Sequence, residues 1–339
     1  MRTHACVNRN RMSSSLSEIS TQLSKILYPI MIVIGVLGNS LNIATLTRPS
    51  LYFHACSRYF LALAGNNLFY SSILFTFQLL SNGYQMNPSN TSRNACKIIS
   101  YISTISAFLS PYFIVCASID RYCSSSLRAS VRRLSNVRTA KAMICFIILI
   151  FTLFFIHILV LSDLRADREH TCITQANSVY SQIYIIVQVC CFAIVPPCLM
   201  ILFGFLSIKN SLGTHVVRVA ASRYKRTERQ LTRMLSIQIG MHILFTLPTS
   251  VTYLISTLPN TIRTTPTYSF VATIAQFLFD CSYITSFFLY FLTGRIYRKE
   301  LIRLLRKIWK HSSANQVMPS QELKSHVPGR TTLNAQTIV

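Results

Sequence analysis

Seven long stretches of uncharged residues constrain the fold of this 339-residue chain more than any other feature. A bilayer has a hydrocarbon core about 30 Å thick, which roughly 20 helical residues cross while their backbone polar groups stay hydrogen-bonded. Each stretch is long enough, and Asp280 is the one charged residue within them. We therefore predict an all-α membrane protein, a seven-transmembrane helix bundle, with spans in 26–47, 59–84, 98–119, 142–162, 177–208, 234–261 and 268–293.

The distribution of basic residues predicts how the spans are oriented. Of the 33 Lys and Arg residues, 24 lie in segments that share one side of the membrane and nine on the other. The richer side is cytoplasmic by the positive-inside rule. We therefore expect a multi-pass plasma-membrane protein with its N-terminus outside. The net charge of +24 then reflects a basic face beside anionic membrane lipids and requires no nucleic-acid partner.

The sequence between and beyond the spans divides the chain into four regions. We predict an extracellular tail at 1–25, the seven-transmembrane domain at 26–293, an amphipathic membrane-surface helix at 294–310 and a disordered cytoplasmic tail at 311–339. The amphipathic helix is predicted because apolar residues recur among basic ones at helical spacing: Tyr297, Leu301, Leu304 and Ile308. The last region is polar and favours disorder.

The predicted outer side carries two features of secretory-pathway chemistry. Asn90 begins an Asn-Thr-Ser glycosylation sequon in the loop after the second span. Cys96 and Cys172 both lie in the oxidising compartment, at the start of the third span and after the fourth. We predict a glycoprotein with a Cys96–Cys172 disulfide, which leaves Cys6 free.

Other functional classes fit the sequence less well. The chain has no HExxH motif, no Gly-rich phosphate loop and no paired-Cys zinc motif, so we predict no enzyme, cofactor or metal site. A seven-helix transporter is an alternative, but it would show internal repeats and paired intramembrane charges. A channel-like chemoreceptor without G-protein coupling is another. Such proteins have the N-terminus inside, which the charge distribution opposes.

Short motifs in the right spans resemble a known receptor family. They are the Gly38-Asn39 pair, "LALAGNN" in the second span, the "DRY" sequence 25 residues after Cys96, Pro196, Pro248, and Tyr290 seven residues before Tyr297. Over residues 26–310 the chain resembles the rhodopsin-like (class A) G-protein-coupled receptors. The stretch "SFFLYFLTGRIYRKEL" is similar to invertebrate neuropeptide receptors of the FMRFamide type.

This resemblance implies a function in signal transduction. An extracellular ligand, a peptide in the FMRFamide-type receptors, would bind in the outer half of the bundle, and outward movement of the sixth span would activate a heterotrimeric G protein. Asp120 would neutralise Arg121 at rest, with Tyr122, Pro248 and Tyr290 completing the switch. Arrestin and a receptor kinase are further implied partners, acting on the Ser- and Thr-containing tail.

Residues in the middle of the predicted bundle depart from the family pattern. Asn67 stands where the second span usually has aspartate, which leaves Asn39, Asn67 and Ser110 as a central polar site that lacks a carboxylate. Thr246 replaces the usual tryptophan before Pro248. The departures leave three interpretations open: a divergent working receptor, one with unusual basal activity, or one that binds without signalling.

Asp280 is the candidate anchor for a ligand, because a charge deep in a span must be paired or hydrated. Gln276 and Asp280 share the inward face of the seventh span by their spacing. Ser103 and Tyr253 are further candidates across the bundle. Two interpretations of Asp280 remain open: it binds a cationic ligand group, or it is a structural, hydrogen-bonded carboxyl.

Overall fold

The computed structural model describes residues 2–164, 172–174, 178–213, 223–255 and 265–316. Within them, seven helices are long and apolar enough to cross a membrane, which confirms the predicted fold. We number the helices as follows: helix 1 Arg2–Leu46, helix 2 Ala55–Gly83, helix 3 Arg93–Ser125, helix 4 Val137–Leu161, helix 5 178–213, helix 6 Arg223–Ile255, helix 7 Pro266–Thr293 and helix 8 Arg295–Gln316. Short helical segments connect them at Pro49–Tyr52, Pro88–Asn90 and Ala129–Leu134.

The start of helix 1 and the end of helix 8 differ from the predicted region boundaries. Helix 1 begins at Arg2, so the region predicted as a tail at 1–25 is helical from Arg2 onward. Residues 2–25 contain neither Gly nor Pro, the two residues that most disfavour a helix, so the helix can continue through their charged positions. Helix 8 continues to Gln316, six residues past the predicted end at 310, and the rest of the predicted disordered tail lies outside the described residues.

A two-stranded hairpin lies over the outer end of the bundle. Strand β1, Ser162–Leu164, pairs antiparallel with strand β2, Cys172–Thr174. A disulfide joins Cys172 to Cys96 at the start of helix 3, as predicted. The loop after helix 4 is therefore held covalently against helix 3.

Helix 3 forms the centre of the bundle. In its span 61% of the residues are buried inside the protein, against 22% for helices 4 and 5. Apolar side chains such as Leu149 and Phe205 point outward, where lipid tails would surround them. Inside, Tyr70 of helix 2 stacks on Tyr283 of helix 7 with ring centroids 3.7 Å apart. The core therefore packs around helix 3 with an aromatic contact between helices 2 and 7.

Two glycines provide a test of the helix packing. A Cβ added to Gly35 of helix 1 would lie 2.6 Å from the Cβ of Ser71 in helix 2, whereas one added to Gly65 would meet nothing within 4 Å. We expect Gly35→Ala to lower the free energy of unfolding by about 1–3 kcal/mol, because the two helices must separate. Gly65→Ala is the matched control and should be neutral or slightly stabilising.

The measurement is thermal unfolding in detergent, followed with a thiol-reactive dye that labels Cys56, Cys116 and Cys123 once they leave the core. Equal melting temperatures for the two variants would contradict the close approach of helices 1 and 2.

Candidate functional site

A buried cluster of charges joins the C-terminal end of helix 3 to the N-terminal end of helix 6. Arg121 is only 2% exposed. Its Nη2 lies 2.5 Å and its Nε 3.2 Å from Oδ2 of Asp120, the preceding residue. Its Nη1 donates to Oε2 of Glu228 in helix 6. One guanidinium therefore bridges a carboxylate of helix 3 and a carboxylate of helix 6.

Both carboxylates have a second contact. Nδ1 of His54, just before helix 2, lies 2.5 Å from Oε1 of Glu228. The hydroxyl of Ser135, in the turn before helix 4, donates to Oδ1 of Asp120 at 2.7 Å. The cluster thus connects helix 3, helix 6, the segment before helix 2 and the turn before helix 4, and each of its carboxylate oxygens has a polar partner.

Burial makes this cluster a firm contact. A guanidinium removed from water is tolerated only when carboxylates or other acceptors replace the lost hydration. Arg121 has two such partners, and moving helix 6 outward would withdraw Glu228 from it. The arrangement can therefore hold helix 6 against helix 3, and it opens only when another source of hydration or charge reaches Arg121.

Helix 6 has a feature that allows it to bend above this contact. Pro248 lies inside the helix and cannot donate a backbone hydrogen bond to the residue one turn earlier. It is 20 residues from Glu228, about 30 Å along a helix. A small bend at Pro248 would therefore move the end that carries Glu228 by a large distance.

A second contact ties the same end of helix 6 to helices 7 and 8. Oε1 of Gln230 accepts a hydrogen bond from the backbone N–H of Ile296 in the first turn of helix 8, at 2.9 Å. Tyr290 of helix 7 is fully buried nearby, with its ring 5.0 Å from Phe60 of helix 2 and 5.9 Å from Tyr297. These contacts therefore pack the N-terminal ends of helices 2, 6 and 8 and the C-terminal end of helix 7 together.

The predicted central polar site forms two separate hydrogen-bonded branches. The hydroxyl of Ser110 donates to Oδ1 of Asn67 at 2.9 Å, and Nδ2 of Asn67 reaches Oγ of Ser286 at 3.4 Å. Asn39 instead donates to the backbone carbonyls of Gly35 and Tyr283, at 2.9 and 3.0 Å. Neutral groups therefore connect helices 2, 3 and 7 in mid-membrane, and Asn39 links helices 1 and 7.

The matching family is that described as "7 transmembrane receptor (rhodopsin family)", whose sequence model covers residues 38–290, well over half of the chain. The chain belongs to the rhodopsin family of seven-transmembrane receptors. It is also similar to somatostatin receptor type 2 of Mus musculus and of Sus scrofa, with 25% identity over 232 residues in each case. These alignments cover 66% of this chain and 60% of each relative, so the chain spans less than two thirds of their length.

The residues predicted for ligand binding in this rhodopsin-family receptor do not all meet. Asp280 is 0% exposed and accepts hydrogen bonds from Nε2 of Gln276 at 3.0 Å and from the hydroxyl of Tyr28 at 3.2 Å. Ser103 is half-buried on helix 3, and Tyr253 of helix 6 has its ring 6.2 Å from that of Phe192. Of the predicted set, the structure brings Gln276 and Asp280 into contact.

Two other predicted residues have simple surroundings. Tyr122, which we expected in the switch, is half-buried and packs on Phe203 of helix 5, with ring centroids 5.7 Å apart. Asn90, the predicted glycosylation site, ends the short helix Pro88–Asn90 and accepts the backbone N–H of Cys172 at 2.9 Å. The first contact ties helix 3 to helix 5, and the second ties the hairpin to the loop after helix 2.

Sequence reasoning missed three members of the charge cluster and one partner of Asp280. Glu228 had a readable signal, because it is the one acidic residue in the basic segment 209–233. His54, Ser135 and Tyr28 have ordinary sequence surroundings, and their roles follow from contacts between distant segments. The missed residues all act through partners on other helices.

The central polar site, formed by Asn39, Asn67 and Ser110, does not fit a sodium ion. A sodium site in a low-dielectric interior needs an anionic ligand to offset the lost hydration. Asn67 supplies a neutral amide instead, and both of its polar atoms bond to serine hydroxyls. Asn39 Oδ1 is buried without a hydrogen-bond donor among the described residues, but it is also neutral.

Sodium should therefore have no specific effect on the wild-type chain. We expect its melting temperature in detergent to be the same in sodium chloride and potassium chloride of equal ionic strength. Asn67→Asp supplies the missing carboxylate and should gain about 2–4 °C in sodium alone, which corresponds to about 1 kcal/mol of binding free energy. A specific sodium stabilisation of the wild type would contradict this account of the site.

Proposed function

We propose that this chain is a plasma-membrane receptor with an extracellular N-terminus that activates heterotrimeric G proteins when a peptide binds in the outer half of the bundle. The observation that carries the proposal is the bridge from Asp120 through Arg121 to Glu228. It joins helices 3 and 6 at the membrane face where we place the cytoplasm. A receptor of this family needs a contact at that face that is closed at rest and can be opened.

The physical logic of the switch follows from the location of this bridge. A buried charge pair contributes little net stability, because the loss of hydration of both groups offsets most of their attraction. Opening therefore costs a modest free energy once water or a G protein offers new partners for Arg121. Helix 6 would bend at Pro248, and Gln230 would release the first turn of helix 8 in the same motion.

A peptide ligand is supported by two features. The relatives at 25% identity are named as receptors for somatostatin, a peptide. The hairpin held by Cys96 and Cys172 covers the outer end of the bundle next to helix 3, where an extended ligand could lie along it. We include amidated peptides of the FMRFamide type among the ligands to be tested, because of the resemblance in helices 7 and 8.

Further partners follow from the same orientation. Helix 8 carries exposed basic residues beside Trp309, which is 77% exposed, and would lie on the anionic inner leaflet. A receptor kinase and arrestin would act on the tail after residue 316. Asn90 would carry a glycan on the outer side.

The first test removes the central cation. In cells that express the chain at their surface, we would measure G-protein dissociation across a panel of Gα subunits while applying somatostatin, amidated peptides and amines. Arg121→Ala should abolish a response that the wild type gives, because helix 3 then offers no guanidinium to the G protein. Arg128→Ala, an exposed basic residue of the same face, is the matched control and should respond normally. An undiminished response in Arg121→Ala would contradict the proposed switch.

The second test weakens the closed state without any ligand. Glu228→Gln keeps the shape of the side chain but removes its charge, so the link between helices 3 and 6 loses about 1–2 kcal/mol. We expect basal recruitment of an engineered Gα subunit to rise by about tenfold.

The matched control is Glu300→Gln, because Glu300 is a buried acid of helix 8 that pairs with Arg303 at 2.7 Å and does not contact Arg121. Equal basal recruitment in the two variants would exclude Glu228 as the restraint on helix 6.

A further inference from the structure

A polar cavity opens between helices 1, 2 and 7 near the outer end of the bundle. Its volume is about 690 Å³, within the range of small-ligand sites, which runs from about 300 to 1,000 Å³. Nine of its sixteen lining residues carry hydroxyl groups, three carry amides, and none is charged. Ser103 and Tyr253 do not line it. The cavity therefore lies apart from the region across helices 3 and 6 where we expected part of the ligand site.

Several hydroxyl groups of its walls donate their hydrogens to the protein itself. On helix 1 the hydroxyl of Ser20 donates to the backbone carbonyl of Leu16 at 3.0 Å, and the hydroxyl of Ser24 donates to the backbone carbonyl of Ser20 at 2.9 Å. On helix 7 the hydroxyl of Thr273 donates to the backbone carbonyl of Ser269 at 3.0 Å. Each oxygen keeps lone pairs that can accept from a ligand. These walls therefore offer acceptors.

The amide side chains show the same bias. Asn82 donates to Oε1 of Gln78 at 3.0 Å, Gln85 donates to the carbonyl of Asn82 at 3.2 Å, and Gln276 donates to Asp280 at 3.0 Å. In each case one of the two N–H groups of the amide donates to the protein, and the side-chain oxygen can accept from a ligand. Helices 2 and 7 thus add acceptors to those of the hydroxyl groups.

A carboxyl group lies directly behind the cavity wall. Tyr28 and Gln276 both line the cavity and both donate to Asp280, which does not line it. A ligand that offers its own donors can therefore compete for these contacts or draw on the charge one hydrogen bond away. Ammonium and guanidinium groups carry only donors, whereas carboxylates and phosphates carry only acceptors.

We infer that this cavity between helices 1, 2 and 7 binds a cationic, donor-rich group, an ammonium or guanidinium, with Tyr28 and Gln276 relaying its charge to Asp280. The inference deepens the proposed function, on which its physiological meaning rests, by placing the basic group of a peptide ligand. It is also compatible with both interpretations of Asp280, as a structural carboxyl and as a residue that binds a cation. The carboxyl is hydrogen-bonded within the protein and still attracts a cation in the neighbouring cavity.

Such a ligand would change the side-chain packing between helices 1, 2 and 7. Displacing the hydroxyl of Tyr28 from Asp280 would disturb its ring, which lies 5.1 Å from that of Phe277 and 5.9 Å from that of Phe75. Phe75 contacts Tyr283, which lies about two helical turns before Tyr290 on the same helix. The cavity is thus connected by side-chain packing to the cytoplasmic half of helix 7.

The test measures the charge preference of the cavity without requiring any signalling. In membranes from expressing cells, Ser20→Cys would be labelled with an aminoethyl or a sulfonatoethyl methanethiosulfonate, two reagents of similar size and opposite charge. Labelling of the wild type, with its native cysteines, is subtracted. We expect the ammonium reagent to react faster at Ser20→Cys by about tenfold, after correction for the intrinsic rates, and arginine amide to slow both reagents.

Two controls separate the cavity from general surface charge. Met86→Cys places the thiol at a position that is 61% exposed and does not line the cavity, so it should show little preference. Adding Asp280→Asn to Ser20→Cys keeps the shape of the carboxyl and should remove most of the preference. Thr273→Cys, on the facing wall, gives a second reporter if Ser20→Cys fails to reach the membrane.

Equal rates for the two reagents at Ser20→Cys and Thr273→Cys would overturn the inference, as would a preference that survives Asp280→Asn. Failure of the proposed function gives a different pattern, in which the cavity prefers the cation but no panel ligand triggers G-protein dissociation and Glu228→Gln does not raise basal recruitment. The cation site would then stand without G-protein coupling.

Discussion

The buried guanidinium of Arg121 is the constraint on which one end of the helix bundle depends. It is 2% exposed and is neutralised by Asp120 on its own helix and by Glu228 on helix 6. Because a buried charge without partners would be very costly, helix 6 must stay close to helix 3 while Arg121 remains dry. His54 and Ser135 extend the contact to helix 2 and to the turn before helix 4. A single cation thus organises the packing of several helix ends.

The middle of the bundle is held together by neutral polar groups instead of charges. Neutral amides and hydroxyls connect helices 2, 3 and 7 there, with Asn67 bonded to Ser110 and Ser286. Such bonds are each worth little net free energy, but they replace groups that would be costly to leave unsatisfied in hydrocarbon. Because Asn67 is an amide, this site offers no carboxylate to a cation, while its hydrogen bonds still connect helices 2, 3 and 7. The carboxyl of Asp280 in helix 7 is buried and accepts hydrogen bonds from Tyr28 and Gln276.

Much of the architecture was predictable because its causes are local. The seven spans follow from lengths of apolar sequence that match the thickness of a bilayer, and the Cys96–Cys172 disulfide follows from the side on which both cysteines lie. The start of helix 1 was not predictable in this way, since charged residues stop a membrane span but do not stop a helix. Glu228 was overlooked because the basic residues around it dominate the composition of its segment.

The sequence by itself determined the number of spans, the face that carries most of the basic charge, the disulfide and the family motifs. Each follows from hydrophobicity, charge, spacing or the identity of a few residues, without knowledge of which helices touch. Tertiary structure alone decided the partners: Glu228 for Arg121 across 107 residues, Tyr28 for Asp280 across 252, and the acceptor-lined cavity between helices 1, 2 and 7. The physical reason is that a pattern along one helix defines which face is polar, whereas the rotation and depth at which two helices pack define which polar groups meet.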